Sequence, residues 1–291
     1  NHFFVPCSPL DSPISSPNFP FNFTVMRGFL FVFVLGLLFT ALDSCQALRR
    51  DVLHPEWKAQ FDSLDIRGGM VIFDEAGATM HVYNPGRVDS AFLPASTFKI
   101  PNSLIALQTG AVADTSEIIP WDSVERSIEV WNKDHNMASA LPTSTVWFYQ
   151  ELARRIGRES MRNYLDTLRY GNRDTSDIDM FWLNNSLKIT PREQIVFLER
   201  FYHNRLPFEQ RHIDAVKKLL ILEEKDGYVL RGKTGWGTSV DPDIGWLVGY
   251  LEKGEKVYYY AANIDIINPE DIKARKTIVK NIFKEMGVIP Q

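Results

Sequence analysis

The sequence predicts a mixed α/β (α+β) fold: a mainly antiparallel sheet flanked by N- and C-terminal helices, with an all-helical subdomain of about residues 100–225 inserted in it. Three observations carry the prediction. Segments rich in aromatic and β-branched residues occur towards both ends of the chain, at Gly68 to Tyr83 and at Tyr228 to Ile264. Between them, apolar residues recur three and four apart, as on a helix. Pro269 to Met286 then places Ile272, Val279, Ile282 and Met286 on one helical face. Strands at both ends with helices between them point to one sheet assembled from both halves of the chain.

Taken in order, residues 1–25 are rich in Pro, Ser and Phe without periodicity and read as upstream or disordered sequence. Met26 to Ala47 reads as an export signal, with Arg27 as its positive region, Phe29 to Leu42 as its apolar run, and small or polar residues after it. That run is shorter than the roughly 20 apolar residues of a membrane span, so a transmembrane anchor is the lesser reading beside the export signal. Two processing readings stay open. Cleavage after Ala47 leaves a soluble periplasmic domain of residues 48–291, whereas an imperfect lipobox at Leu42-Asp43-Ser44-Cys45 makes Cys45 a lipidated first residue. In both, the mature chain has no membrane span and is a monomer or a homodimer. Cys7 and Cys45 are the only cysteines, so the exported domain has no disulfide and relies on its core.

After a polar, helix-like start, Gly68 to Asp74 reads as a buried strand. Glu75-Ala76-Gly77 turns it back into Thr79 to Tyr83. A helix follows Ser96 and ends near Gly110, and helical signals continue to about residue 225. Among them, Thr190-Pro191-Arg192-Glu193 has the form of a capping box with Pro at the first helical position. Tyr228 to Gly232, Ile244 to Glu252 and Val257 to Ile264 are the closing strands, with Lys253-Gly254-Glu255 as a turn.

With 45% hydrophobic and 23% charged residues and a net charge of -4, the 291-residue chain has ample core material and no basic footprint for nucleic acid. Its six histidines show neither His-x-His nor His-x-x-x-His spacing, so no metal site is expected. Small-molecule chemistry remains.

Ser96-Thr97-Phe98-Lys99 places a hydroxyl and an amine on one face of a first helical turn, a nucleophile beside a base. Lys233-Thr234-Gly235 sits at the end of an expected strand. Its lysine and hydroxyl suit an anionic substrate group, and its glycine allows close backbone approach. Ser144-Thr145-Val146 lies between them, with a hydroxyl able to pass a proton. Each motif alone is modest: Ser96 and Ser144 also read as helix caps, and Trp182 as a core aromatic.

In combination and order, these motifs resemble the penicillin-recognising serine enzymes. Val146 in place of an asparagine, with Tyr170-Gly171-Asn172, Phe181-Trp182-Leu183 and Gly245-Trp246-Leu247-Val248-Gly249 in register, makes the chain similar to class D, oxacillinase-type β-lactamases from about residue 50 onward. The resemblance implies β-lactam hydrolysis through an acyl-enzyme on Ser96. It also implies Lys99 carboxylated by carbon dioxide or bicarbonate to N6-carboxylysine, with no other cofactor, and held by the Trp182 indole, which is a donor only. By the same resemblance, Ser144 relays a proton, backbone N–H groups of Ser96 and Trp236 form the oxyanion hole, and Lys233, Thr234 and Arg275 hold the substrate carboxylate. Gly235 and Val146 line the site, and Tyr170-Gly171-Asn172 shapes the pocket. Trp236 is bulkier than the residue several relatives carry there and is expected to reshape the cleft. The competing readings are a β-lactam sensor domain and a penicillin-binding transpeptidase, both acylated without turnover.

Overall fold

A computed structural model describes residues 49–225 and 227–291. The expected upstream segment, the signal Met26 to Ala47 and both cysteines lie outside the described residues. Strands β1 (Arg50–Leu53), β2 (Gly68–Asp74), β3 (Thr79–Tyr83), β4 (Ile221–Lys225), β5 (Tyr228–Gly237), β6 (Asp243–Lys253) and β7 (Lys256–Ile266) form one seven-stranded sheet in the order β1-β3-β2-β7-β6-β5-β4. Only the β1–β3 pair is parallel. The central β2–β7 pair joins the two ends of the chain, with Gly68 opposite Ile264 and Asp74 opposite Tyr258.

The alternation of side chains along β2 divides the core in two. Val71 and Phe73 pack with Leu104, Phe148, Leu152, Leu198 and Trp246, on the face covered by α3 (Lys99–Thr109), α5 (Val146–Ile156) and α7 (Pro191–Tyr202). Met70 and Ile72 face the other way and pack with Trp57, Phe61, Ile278, Ile282 and Phe283. There the cover is α1 (Lys58–Asp62) and α9 (Ala274–Glu285). Buried on both faces, β6 and β7 carry near-continuous apolar runs. The remaining helices are α2 (Pro85–Val88), α4 (Met137–Thr143), α6 (Arg158–Leu168) and α8 (Gln210–Leu219).

Three local expectations are corrected. The N-terminal segment is not simply helical, because β1 precedes a short 3-10 turn at Pro55–Trp57 and α1. Helix gives way to strand after Leu219, and β4 occupies Ile221–Lys225. Both strands are short, largely exposed edges, so backbone pairing defines them and no buried side-chain period marks them in the sequence. Between Gly110 and Met137 the chain is mostly irregular, with one 3-10 turn at Glu129–Trp131. Side-chain acceptors hold this stretch, Asp114 for the Ser116 amide at 2.7 Å and Asp134 for the Trp121 amide at 2.8 Å.

Candidate active site

Ser96 lies in a 3-10 turn, Ala95–Phe98, that runs directly into α3. Lys99 is fully buried, and its Nζ donates to Ser96 Oγ at 2.9 Å. Burial alone brings the Lys99 pKa down from 10.5 to about 7, because an ammonium there has lost its water. The turn is held under strain. Ala95 has φ +47°, and its amide donates to the Trp182 carbonyl at 3.0 Å. Thr97 Oγ1 donates to Pro94 O at 2.7 Å and accepts from Gln194 Nε2 at 3.1 Å, while Gln194 Oε1 accepts from the Tyr170 hydroxyl at 3.4 Å. Gln194 and Thr97 escape a motif reading; a buried amide on the apolar face of α7 is the signal that marks the former.

Ser144 and Lys233 meet across the site. Ser144 connects α4 to α5 in the left-handed region, φ +56°, and its Oγ accepts from Lys233 Nζ at 2.5 Å. Lys233 is 4% exposed, and its Nζ also donates to Thr234 O at 3.0 Å. Burial holds its pKa well below the ordinary lysine value, and the positive charges of Lys99, Arg275 and Lys276 push in the same direction. Val146 is half-buried at the first position of α5. Lys233-Thr234-Gly235 lies within β5 and not at its end. A Cβ on Gly235 would stand 3.1 Å from Pro94 O and 3.2 Å from Thr97 Cγ2, so glycine is what lets β5 lie against the Ser96 turn.

Arg275 is not a solvated helix residue. It is 8% exposed, with Nε on Ile272 O at 2.7 Å and Nη1 on Gly235 O at 2.5 Å, which ties α9 to the same strand. Burial lowers its pKa to about 10. Trp236 is 40% exposed, and its indole N–H donates to Asp243 Oδ2 at 2.8 Å. Tyr170-Gly171-Asn172 lies behind the Ser96 turn, with the Tyr170 ring edge-on to Phe98; the Asn172 amide donates to Lys188 O at 2.9 Å, and a Cβ on Gly171, at φ +52°, would come within 2.0 Å of that oxygen.

Trp182 is a core aromatic, stacked on Phe98 with ring centres 5.4 Å apart and edge-on to Phe181. Its indole Nε1 is nevertheless buried without a hydrogen-bond partner among the described residues. An orphan donor of this kind costs about 1–3 kcal/mol, so the position fits an acceptor group that the side chains themselves do not provide. A carboxylate carried by Lys99 has that chemistry. Among the described residues no cluster of three metal-ligating side chains occurs.

The penicillin binding protein transpeptidase domain model matches residues 68–284. The β-lactamase OXA-48 of Klebsiella pneumoniae is 40% identical over 238 residues, 81% of this chain and 90% of the relative. The crystal structure of the class D β-lactamase YbXI from Nostoc superposes with a TM-score of 0.79 at 45% identity, covering 80% of this chain and 99% of that one. The C-terminal domain of the BlaR penicillin receptor of Bacillus licheniformis superposes with a TM-score of 0.80 at 33% identity, covering 84% and 99%. A serine bonded to a buried lysine, the Ser144–Lys233 contact and these matches along most of the chain lead to one assignment: the chain belongs to the penicillin-binding protein transpeptidase domain family and, within it, to the class D serine β-lactamases.

Proposed function

We propose that this β-lactamase hydrolyses its substrates with Lys99 carboxylated, the modified side chain acting as general base in both acylation and deacylation. The observation that carries the reading is the buried, unpartnered Trp182 indole, a donor suited to a carboxylate. The lowered pKa of Lys99 supports it, since only a neutral amine adds carbon dioxide. When present, the group supplies a carboxylate base beside Ser96.

Ser96 Oγ loses its proton and attacks the lactam carbonyl, and the backbone N–H groups of Ser96 and Trp236 stabilise the oxyanion. Ser144, held by Lys233, passes a proton to the leaving nitrogen. Lys233, Thr234 and Arg275 hold the substrate carboxylate, with Arg275 placed by its bond to Gly235 O. Water then releases the product from Ser96. The segment Met26 to Ala47 directs the chain to export, and the catalytic domain, residues 48–291, acts on the far side of the membrane, soluble or anchored through a lipid on Cys45; no described helix is long and apolar enough to cross a membrane.

The likeness to a penicillin receptor keeps a second reading, a domain that remains acylated. Turnover of a chromogenic cephalosporin by the purified chain, with and without bicarbonate, separates them. Turnover that rises with bicarbonate and is lost in Trp182→Ala is the expected result. A single stoichiometric burst favours the receptor reading, and turnover indifferent to both changes sinks the carboxylation.

A further inference from the structure

Tyr149 lies outside the motifs that carry the reaction, yet it is built into the lysine's pocket. It is fully buried on α5, and the Lys99 Nζ stands over its ring, 5.1 Å from the centre. Two neighbours on α3 hold it. Asn102 Nδ2 donates to Tyr149 O at 3.2 Å, and Ser103 Oγ lies 3.0 Å from the Tyr149 hydroxyl. Ser103 Oγ donates its own proton to Lys99 O at 2.7 Å, which leaves the tyrosine as donor in the contact between the two hydroxyls. Asn102 thus fixes the Tyr149 backbone and Ser103 its hydroxyl, and turning the ring away breaks the buried hydroxyl contact.

The three states of Lys99 meet this ring face differently. An ammonium is attracted to it, a neutral amine much less, and an anionic carbamate is repelled. Burial acts in the opposite sense and disfavours the ammonium. The other titratable groups facing the pocket are Lys233 on β5, whose pKa is lowered by burial and by the charge of Lys99, and the Tyr149 hydroxyl, whose pKa burial raises so that it stays protonated. Among the described residues no carboxylate forms an ion pair with Lys99.

We propose that Tyr149 is a positioning residue for Lys99: its ring face, packed against Nζ, holds that nitrogen against Ser96 and raises the pH at which it becomes free to take up carbon dioxide. The proposal rests on the carboxylation described above. In that step the Nζ lone pair forms a bond to carbon, a C=O electron pair moves onto oxygen, and the Nζ proton passes to solvent.

The test follows the carbamate resonance of the full chain equilibrated with 13C-bicarbonate across pH, for the parent, Tyr149→Phe and Tyr149→Leu. Phe keeps the ring face and is expected to keep the parent's midpoint. Leu removes the face and is expected to lower the midpoint by about half a pH unit, or to need roughly threefold less bicarbonate at a fixed acid pH. A midpoint that is unchanged or raised in Leu, or that moves equally in Phe and Leu, overturns the proposal. Tyr149→Met fills the volume without a π face and is read in the same way if the Leu variant fails to fold. A parent that shows no carbamate resonance at any pH overturns the carboxylation instead. The ring contact is then read from the titration of labelled Lys99 itself, which must still shift downward in Leu and not in Phe.

Discussion

Lys99 is a cation in a place that does not tolerate one. Its pKa falls from 10.5 in the unfolded chain to about 7 in the fold, so across that window the unfolded state binds more protons. Stability therefore rises with pH from about 7 to 10.5, and the whole cost of burying an ammonium is present below the lower value. Lys99→Met, with similar volume and no charge, is expected to melt higher than the parent at pH 6 and to lose roughly 10²–10⁴-fold in turnover, read by thermal denaturation and penicillin hydrolysis. In the parent, kcat/KM at fixed bicarbonate is expected to fall on the acid side with a midpoint near 7, where the amine protonates. A profile flat from pH 5 to 8 contradicts that. Ser96 and Lys99 were legible because their relation is covalent: three residues apart at a helix start, they must share a face. The depth of their burial was not, since Tyr149, which packs against Lys99, and Trp182, which stacks on Phe98, come from segments distant in the chain.

At the scale of elements, the site is a contact between β5 and the Ser96 turn, and its tightness depends on Gly235. Gly235→Ala puts a methyl 3.1 Å from Pro94 O, an atom with no freedom to move away. The expected cost is about 1–3 kcal/mol of stability and up to roughly 10²-fold in kcat/KM, because the turn carrying the nucleophile must shift. Thr190→Ala acts at an element and away from the chemistry. Thr190 Oγ1 accepts from the Glu193 amide at 3.1 Å, and Glu193 Oε2 accepts from the Thr190 amide at 2.8 Å. Losing this cap is expected to lower stability by about 1 kcal/mol in denaturant titration with kcat unchanged. Such caps and the apolar stripes of α5, α7 and α9 were readable because their period is local. The Gln194–Thr97 contact was not, because it joins residues far apart in the chain.

At the scale of the whole molecule, the described residues contain no cysteine and are held by two apolar layers, one on each face of the sheet. Their thermal unfolding is expected to be the same with and without a thiol reductant, and a drop in Tm on reduction contradicts this. The sequence by itself determined the fold class, through the periods of helix and strand, and the family, through the ordered combination of Ser96-x-x-Lys99, Ser144-x-Val146 and Lys233-Thr234-Gly235, because periods and motifs are properties of neighbouring residues. Only the tertiary structure decided that β1 and β4 are strands, that Arg275 is buried against Gly235, and that the Trp182 indole is left without a partner. Each of those depends on what the chain packs against: an edge strand exists only where a neighbour offers its backbone, and a buried donor is unsatisfied only once every surrounding segment has taken its place.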